Sequence, residues 1–279
     1  MREYASAGAF RRALEDRLHN RAKAEDVDLQ RMRRQVAFDR LLARLSAGDG
    51  PAWCLKGGYA LELKLSLARS TRDLDLGITG AVLDRDDLLE WLQDAAAFDA
   101  GDFFVYAVGE STMDLDGAPY GGFRHPVEAI LDGRQFAKFH LDVGMGDSQH
   151  EPFEWTEPHD WLGFAGIPAG SVPSIAREEH FAQKLHAYTM PREGRTNSRV
   201  KDLVDLVLLI EAGGMDRDRL MRDVRNTFER RDSHPLPPCL EPPPDFWEPV
   251  FVKLAEECRI ETTIDTQFKK VAEFFRELL

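Results

Sequence analysis

The sequence predicts an α+β fold: a small mixed sheet in the first part of the chain, followed by a helical part. Three observations carry this. Between residues 52 and 144, short apolar runs and period-two alternation mark strands, with glycine-rich turns between them. From about residue 174 onward, apolar residues recur at helical spacing in five successive segments. The stretch 234–244 then carries six prolines in eleven residues, which fits only an extended connector. The expected division is an αβ domain with N-terminal helices over 1–170 and a helical domain over 171–279.

In chain order, Ala9, Phe10, Ala13, Leu14 and Leu18 share one helical face, and Leu29, Met32, Val36, Leu41 and Leu45 share another. Ser46-Ala47-Gly48-Asp49-Gly50-Pro51 stops the second helix and turns the chain. Residues 52–55 read as a short buried strand, 59–67 as a short helix and 70–78 as a second strand. Asp84 caps a helix running to about residue 98, with Leu88, Leu89, Leu92, Ala95 and Ala96 facing inward. Strands follow at 103–108, around 127–131 and at 136–144. In the last of these, Phe139, Leu141 and Val143 alternate with Lys138, His140 and Asp142. Helices are expected near 174–190, 199–212, 216–230, 246–258 and 264–279.

No run of about eighteen apolar residues occurs, and the N-terminal segment carries charges throughout, so neither a membrane span nor a signal peptide is expected. The three cysteines, Cys54, Cys239 and Cys258, are far apart and lack metal-ligand spacing. They read as small apolar residues of a reduced, cytoplasmic protein. The net charge of −13 is unevenly spread: residues 1–72 hold 15 Lys/Arg against 9 Asp/Glu, whereas residues 73–175 hold 4 against 20. An acidic middle flanked by basic helices suits a polyanionic substrate, and it suits solvated helix faces equally well.

The chemistry concentrates in Leu55-Lys56-Gly57-Gly58 and Thr71-Arg72-Asp73-Leu74-Asp75-Leu76. On a strand, Asp73 and Asp75 point to one face while Leu74 and Leu76 enter the core. Two neighbouring carboxylates repel unless a cation lies between them, and Mg²⁺ takes carboxylate and phosphate oxygens together. Glycines at 57 and 58 let backbone N–H groups approach phosphate oxygens, so a nucleoside triphosphate is the natural ligand. Asp142, on a strand of its own, is a third carboxylate for a second metal or for deprotonating the attacking hydroxyl. In the helical part, Arg177, Lys184 and Tyr188 share a face, and Asp202 and Asp205 share one with Arg199. A lysine or arginine here would neutralise a leaving pyrophosphate; the plainer reading is ion pairing on a wet surface. His140 and His186 read as packed side chains rather than bases, and the tryptophans as packing, with stacking on bases a further role open to Trp155 and Trp161.

The ordered set Lys56-Gly57-Gly58-Tyr59-Ala60-Leu61, Thr71-Arg72-Asp73-Leu74-Asp75-Leu76, Glu179-x4-Lys184-Leu185-His186-Ala187 and Arg199-x-Lys201-Asp202-Leu203-x-Asp205-Leu206 resembles the AbiEii/AbiGii-type nucleotidyltransferase toxins, including the MenT toxins, over roughly residues 50–212. The resemblance implies a polymerase-β-like nucleotidyltransferase domain followed by a helical domain. It implies a toxin that transfers a nucleotide, with a pyrimidine preferred, from an NTP to the 3′ acceptor end of tRNA, blocking translation. It also implies a winged-helix antitoxin encoded nearby. Carried over by position, Gly57 and Gly58 would hold phosphates, with Lys56 and Arg72 as further phosphate contacts, and Asp73 and Asp75 would bind Mg²⁺. Lys184 would contact the nucleotide phosphates. Asp202 would orient Lys184 or Arg199, or act as a base, with Asp205 as its companion. Two other readings stay open: transfer to a protein or small-molecule hydroxyl, and a non-catalytic nucleotide-binding protein. The intact carboxylates argue against the latter, because paired charges without a use are costly.

Overall fold

The computed structural model describes residues 4–65, 67–115, 117–146, 153–191 and 199–279. The chain forms two compact units: Met1–Leu63 with Thr71–Ser174, and Lys64–Ser70 with Ile175–Leu279.

The first unit opens with α1 (Ala7–Glu25) and α2 (Leu29–Ala47). Each is started by a side-chain cap: Ser6 accepts from the Ala9 amide at 3.2 Å and Asp28 from the Arg31 amide at 2.7 Å. Then come β1 (Ala52–Lys56), α3 (Gly57–Lys64), β2 (Asp73–Thr79), α4 (Arg85–Ala96), β3 (Phe104–Val108), β4 (Met113–Asp114), β5 (Gly122–Leu131), β6 (Arg134–Met145), β7 (Glu154–Thr156) and β8 (Val172–Ser174). Among the described residues these strands make one sheet in the order β3-β5-β6-β2-β1-β8-β7, with β4 also pairing with β5. The β2–β6 and β1–β8 pairs are parallel and the others antiparallel.

One face of the sheet is core and the other is open, which is why alternation was legible in the strands that flank the carboxylates. Leu74 and Leu76 of β2, Phe139, Leu141 and Val143 of β6 and Val127 of β5 are buried with Phe10, Leu14, Phe38 and Leu41 of the two long helices. Phe38 packs edge-on against Tyr59 and Phe139, with ring centroids 4.9 and 4.8 Å away. Asp84 caps α4, its carboxylate accepting from the amides of Asp86 and Asp87. A buried ion cluster also holds this unit: Asp102 accepts from Arg40 at 2.6 Å and from Arg44 at 2.6 and 2.9 Å. No pattern in the sequence announced it, since its members lie about sixty residues apart.

Several boundaries differ from expectation for local reasons. The helix expected from residue 59 begins at Gly57, directly off β1. β5 starts at Gly122, ahead of the expected 127, because Pro126 sits within it and proline argues against a strand interior. Strands β4, β7 and β8 span only two or three residues, too few for a periodicity to form. Cys54 and Cys258 are buried as expected, but Cys239 is exposed, in the proline-rich stretch.

The second unit is helical: α5 (Arg177–Thr189), α6 (Val200–Ala212), α7 (Arg217–Arg231), α8 (Glu248–Cys258) and α9 (Ile264–Leu278). α6 is its centre, packed by α5, α8 and α9. Leu203, Val204, Leu206, Val207 and Leu209 are fully buried, so α6 is apolar on most of its circumference. Residues 234–244 between α7 and α8 contain neither helix nor strand. The segment Lys64–Ser70 belongs here: Lys64 Nζ donates to the Ile175 carbonyl and Arg69 to Asp205. No helix among the described residues is long and apolar enough to cross a membrane.

Candidate active site

In the first unit, β1 runs antiparallel to β2 and hands the chain to α3 at Gly57. Gly57 has φ +66°, the left-handed region that glycine enters without strain. A Cβ built there would lie 2.1 Å from Asp75 Oδ2 and 2.5 Å from its Cγ, so the glycine is also what lets the Asp75 carboxylate occupy its place. Gly58 follows, buried in the first turn of α3. Gly57→Ala is expected to cost about 1–2 kcal/mol of stability from the backbone alone. It should also displace Asp75, so Mn²⁺ affinity measured by titration should fall by about tenfold or more while the melting temperature moves by only a few degrees. Unchanged Mn²⁺ affinity would show that the close approach is irrelevant to the carboxylate.

Asp73 and Asp75 project from the open face of β2, with Leu74 and Leu76 buried behind them. Register then builds a row of charge across four strands. Lys56 of β1 pairs with Asp75, Asp75 with Asp142 of β6, and Asp142 with Arg124 of β5. Directly paired residues share a face, so Lys56 flanks Asp75 and Asp142 stands beside it, one strand spacing of about 4.8 Å away. Asp142 is thus on an inner strand and is only 9% exposed. Its two carboxylate oxygens accept from Arg124 at 2.7 and 2.6 Å, a bidentate pair that pushes the Arg124 pKa upward. The same guanidinium lies 3.9 Å from Asp73 Oδ2. Arg124 carries no motif, and its signal exists only once β5 is placed beside β6.

His140 pairs in register with Asp73, and its Nδ1 lies 3.2 Å from Asp73 Oδ1. A carboxylate only accepts, so Nδ1 carries the hydrogen of this contact, and in the neutral ring Nε2 is then the acceptor nitrogen. The side chain is 47% exposed, unlike the packed histidine that the sequence suggested. His186 is fully buried, in accord with that expectation. Trp161 is packed as well, its indole N–H donating to Asp39 at 2.8 Å, whereas Trp155 is exposed.

Among the described residues no group of three His, Cys, Asp or Glu side chains is arranged to hold a metal ion. Mg²⁺ asks for less: it commonly takes one or two protein carboxylates and completes its shell with substrate phosphates and water. Asp73 and Asp75, adjacent on one face and with Asp142 engaged by Arg124, fit that donor set. Arg72, exposed, immediately precedes the pair.

The second unit holds the other charged cluster. Lys184 of α5 puts Nζ 2.7 Å from Asp205 Oδ2 and 3.2 Å from Asp202 Oδ1, both on α6. Arg69 donates twice to Asp205, at 2.8 Å each, and Arg199 reaches Asp202 at 3.4 Å. Burial by itself would raise the Asp205 pKa; Lys184 and Arg69 outweigh it and hold the carboxyl well below the usual range. Burial likewise opposes the charge on Lys184, and Asp205 and Asp202 more than restore it. This is a buried network rather than wet-surface pairing. Its centre is Asp205, expected only as a companion of Asp202, and the member added by the fold is Arg69, 136 residues from Asp205 in sequence and invisible to any spacing rule.

The family profile of the AbiEii toxin, a nucleotidyl transferase of type IV toxin–antitoxin systems, matches residues 40–271. The fold is similar to that of MenT4, a nucleotidyltransferase toxin from Mycobacterium tuberculosis H37Rv, with 20% identity, a TM-score of 0.57, and coverage of 96% of this chain and 89% of that one. JHP933 from Helicobacter pylori matches more loosely, with 17% identity, a TM-score of 0.49, and coverage of 88% of this chain and 91% of that one. No curated protein matches the sequence.

Proposed function

The chain belongs to the AbiEii family of nucleotidyltransferase toxins of type IV toxin–antitoxin systems, and from that premise we propose that it transfers a nucleotide, with a pyrimidine preferred, from an NTP to the 3′ acceptor end of tRNA, blocking translation. The observation that carries the reading is the open face of β2, where Asp73 and Asp75 stand between Gly57 and the Arg124-anchored Asp142.

Asp73 and Asp75 are the residues we assign to a Mg²⁺ ion, which would supply charge stabilisation at the reacting phosphate. Gly57 and Gly58 offer the approach to the triphosphate, with Lys56 beside Asp75 as a further cation. The acceptor 3′-hydroxyl oxygen forms a bond to the α-phosphorus, and the bond from that phosphorus to the bridging oxygen of the β-phosphate breaks, releasing pyrophosphate. The hydroxyl proton passes to Nε2 of His140, whose Nδ1 hydrogen is held by Asp73. Arg124, fixed by both oxygens of Asp142, is a permanent cation beside Asp73 that needs no reorganisation as charge develops. Lys184 is the cation we assign to the nucleotide phosphates, with Asp202 and Asp205 keeping it charged and oriented and Arg199 as a further phosphate contact. The cognate antitoxin we expect is a winged-helix protein, and a tRNA acceptor would place the reaction in the cytoplasm.

The test is purified protein with Mg²⁺, each labelled NTP in turn, and total tRNA. The expected result is label at the tRNA 3′ end from one pyrimidine nucleotide. Label on a protein band and none on RNA would move the acceptor to a protein hydroxyl. Nucleotide binding without turnover on any acceptor would leave a binding protein.

A further inference from the structure

Beside Asp73 the open face of the sheet hollows into a pocket of about 770 Å³ that extends over β6, β5 and β3 and is lined also by Arg34 of α2 and by Arg72. Four strong cations line it, and two of them have partners: Arg124 holds Asp142, and Lys138 stands 3.5 Å from Glu128. Arg34 and Arg72 supply further positive charge, with Asp73 the remaining carboxylate of the lining.

Arg34 is in an unfavourable state. Its Nε is buried and makes no hydrogen bond among the described residues. Burial, with the Arg72 guanidinium adding to it, holds the Arg34 pKa below its ordinary value, although Asp28 and Glu62 pull the other way. A buried donor without a partner is costly, and a second guanidinium nearby raises the cost. An anion satisfies both groups at once, and the planar fork of arginine favours phosphate.

Position decides which phosphate. Gly57 and Lys56 approach Asp75 from the β1 side of β2. The pocket lies on the opposite flank, over β6, β5 and β3. In an in-line displacement the attacking oxygen and the departing pyrophosphate lie on opposite sides of the reacting phosphorus. A triphosphate on the glycine flank therefore leaves the pocket flank to the acceptor. The pocket wall adds Ala107 and Pro126, apolar surface on the same face as His140 against which a ribose or base can rest.

We infer that this pocket binds the single-stranded 3′ end of the RNA acceptor, with Arg34 and Arg72 gripping a phosphodiester just before the reacting hydroxyl, which lies beside Asp73 and His140. The inference rests on the proposed RNA-acceptor reading and names the surface that does the binding. It assigns Arg72 to the acceptor rather than to the triphosphate, and it brings in Arg34, which no motif marks.

The test measures binding without transfer, using a short single-stranded RNA with a free 3′-hydroxyl and, separately, a non-hydrolysable NTP analogue. Arg34→Gln should weaken RNA binding by about tenfold and lower the slope of log K against log salt by about 0.7, the value for one lost contact on a single strand. Arg72→Gln, at an exposed position that the fold tolerates, should do the same. NTP-analogue affinity should stay unchanged in both. If NTP affinity falls and RNA affinity holds, the pocket is a triphosphate subsite and the inference is overturned. If the wild type binds the RNA and both variants bind it equally well, the pocket assignment fails while the RNA reading stands. If the wild type binds no RNA, the RNA reading fails and takes the pocket assignment with it.

Discussion

Asp73→Asn or Asp75→Asn, each alone, is expected to reduce nucleotidyl transfer by at least about 10²-fold, with the fold intact. Asparagine keeps the shape of the side chain and removes its charge. The carboxylates belong to the open face rather than to the core, with Asp73 38% exposed, so no packing is lost. Removing one of two neighbouring negative charges also relieves repulsion. The melting temperature should therefore hold or rise slightly while turnover collapses, because stabilisation of developing charge at the phosphate is worth about 3–4 kcal/mol per group in such sites. Labelled-nucleotide transfer and thermal denaturation on the same preparations check it. Asp142→Asn is the informative control. It breaks the bidentate hold on Arg124 and leaves a guanidinium beside Asp73 without its anchor, so both stability and turnover should drop, each in moderation. Near-wild-type transfer by both Asp73→Asn and Asp75→Asn would remove the carboxylate pair from the chemistry.

The carboxylate face was legible in the sequence because everything that builds it is local. Alternation over Asp73-Leu74-Asp75-Leu76 and over residues 138–143 fixes which side chains turn outward. The glycines at 57 and 58 mark the turn that ends β1. What local pattern does not contain is which strand lies beside which. The parallel pairing of β2 with β6 puts Asp142 opposite Asp75, and β5 then brings Arg124 onto Asp142. The same reason hid Arg69 from the Lys184 cluster and Arg34 from the pocket beside Asp73. In each case a cation reaches its place through tertiary structure, and arginine on a helix or loop has no spacing that distinguishes a ligand from a solvated surface group. The family resemblance supplied Lys184 and Asp202, and the geometry shifts weight from Asp202 to Asp205.

Arg69 and Lys184 both bind Asp205, and removing them should have different consequences. Arg69→Ala takes away two hydrogen bonds of 2.8 Å and one of the two cations that keep a fully buried carboxylate ionised. Leaving a buried charge short of a partner costs about 3–5 kcal/mol, so this variant should melt far below the wild type. Lys184→Met removes the contacts of 2.7 Å to Asp205 and 3.2 Å to Asp202 but fills a similar volume, while Arg69 still holds both oxygens of Asp205 and Arg199 still reaches Asp202. Its stability loss should be about 1–2 kcal/mol. Its transfer activity should fall by about 10²-fold or more if Lys184 serves the nucleotide phosphates. The pH dependence follows from the sign of the Asp205 shift. A carboxyl whose pKa is depressed by folding contributes stability that is fully present above its unfolded pKa of about 3.9. That contribution is lost as pH falls from there through the folded value. The gap in melting temperature between wild type and Arg69→Ala should therefore be widest near neutral pH and should narrow on acidification below about pH 4. A gap independent of pH over that range would mean that Arg69 acts through packing rather than through the charge of Asp205.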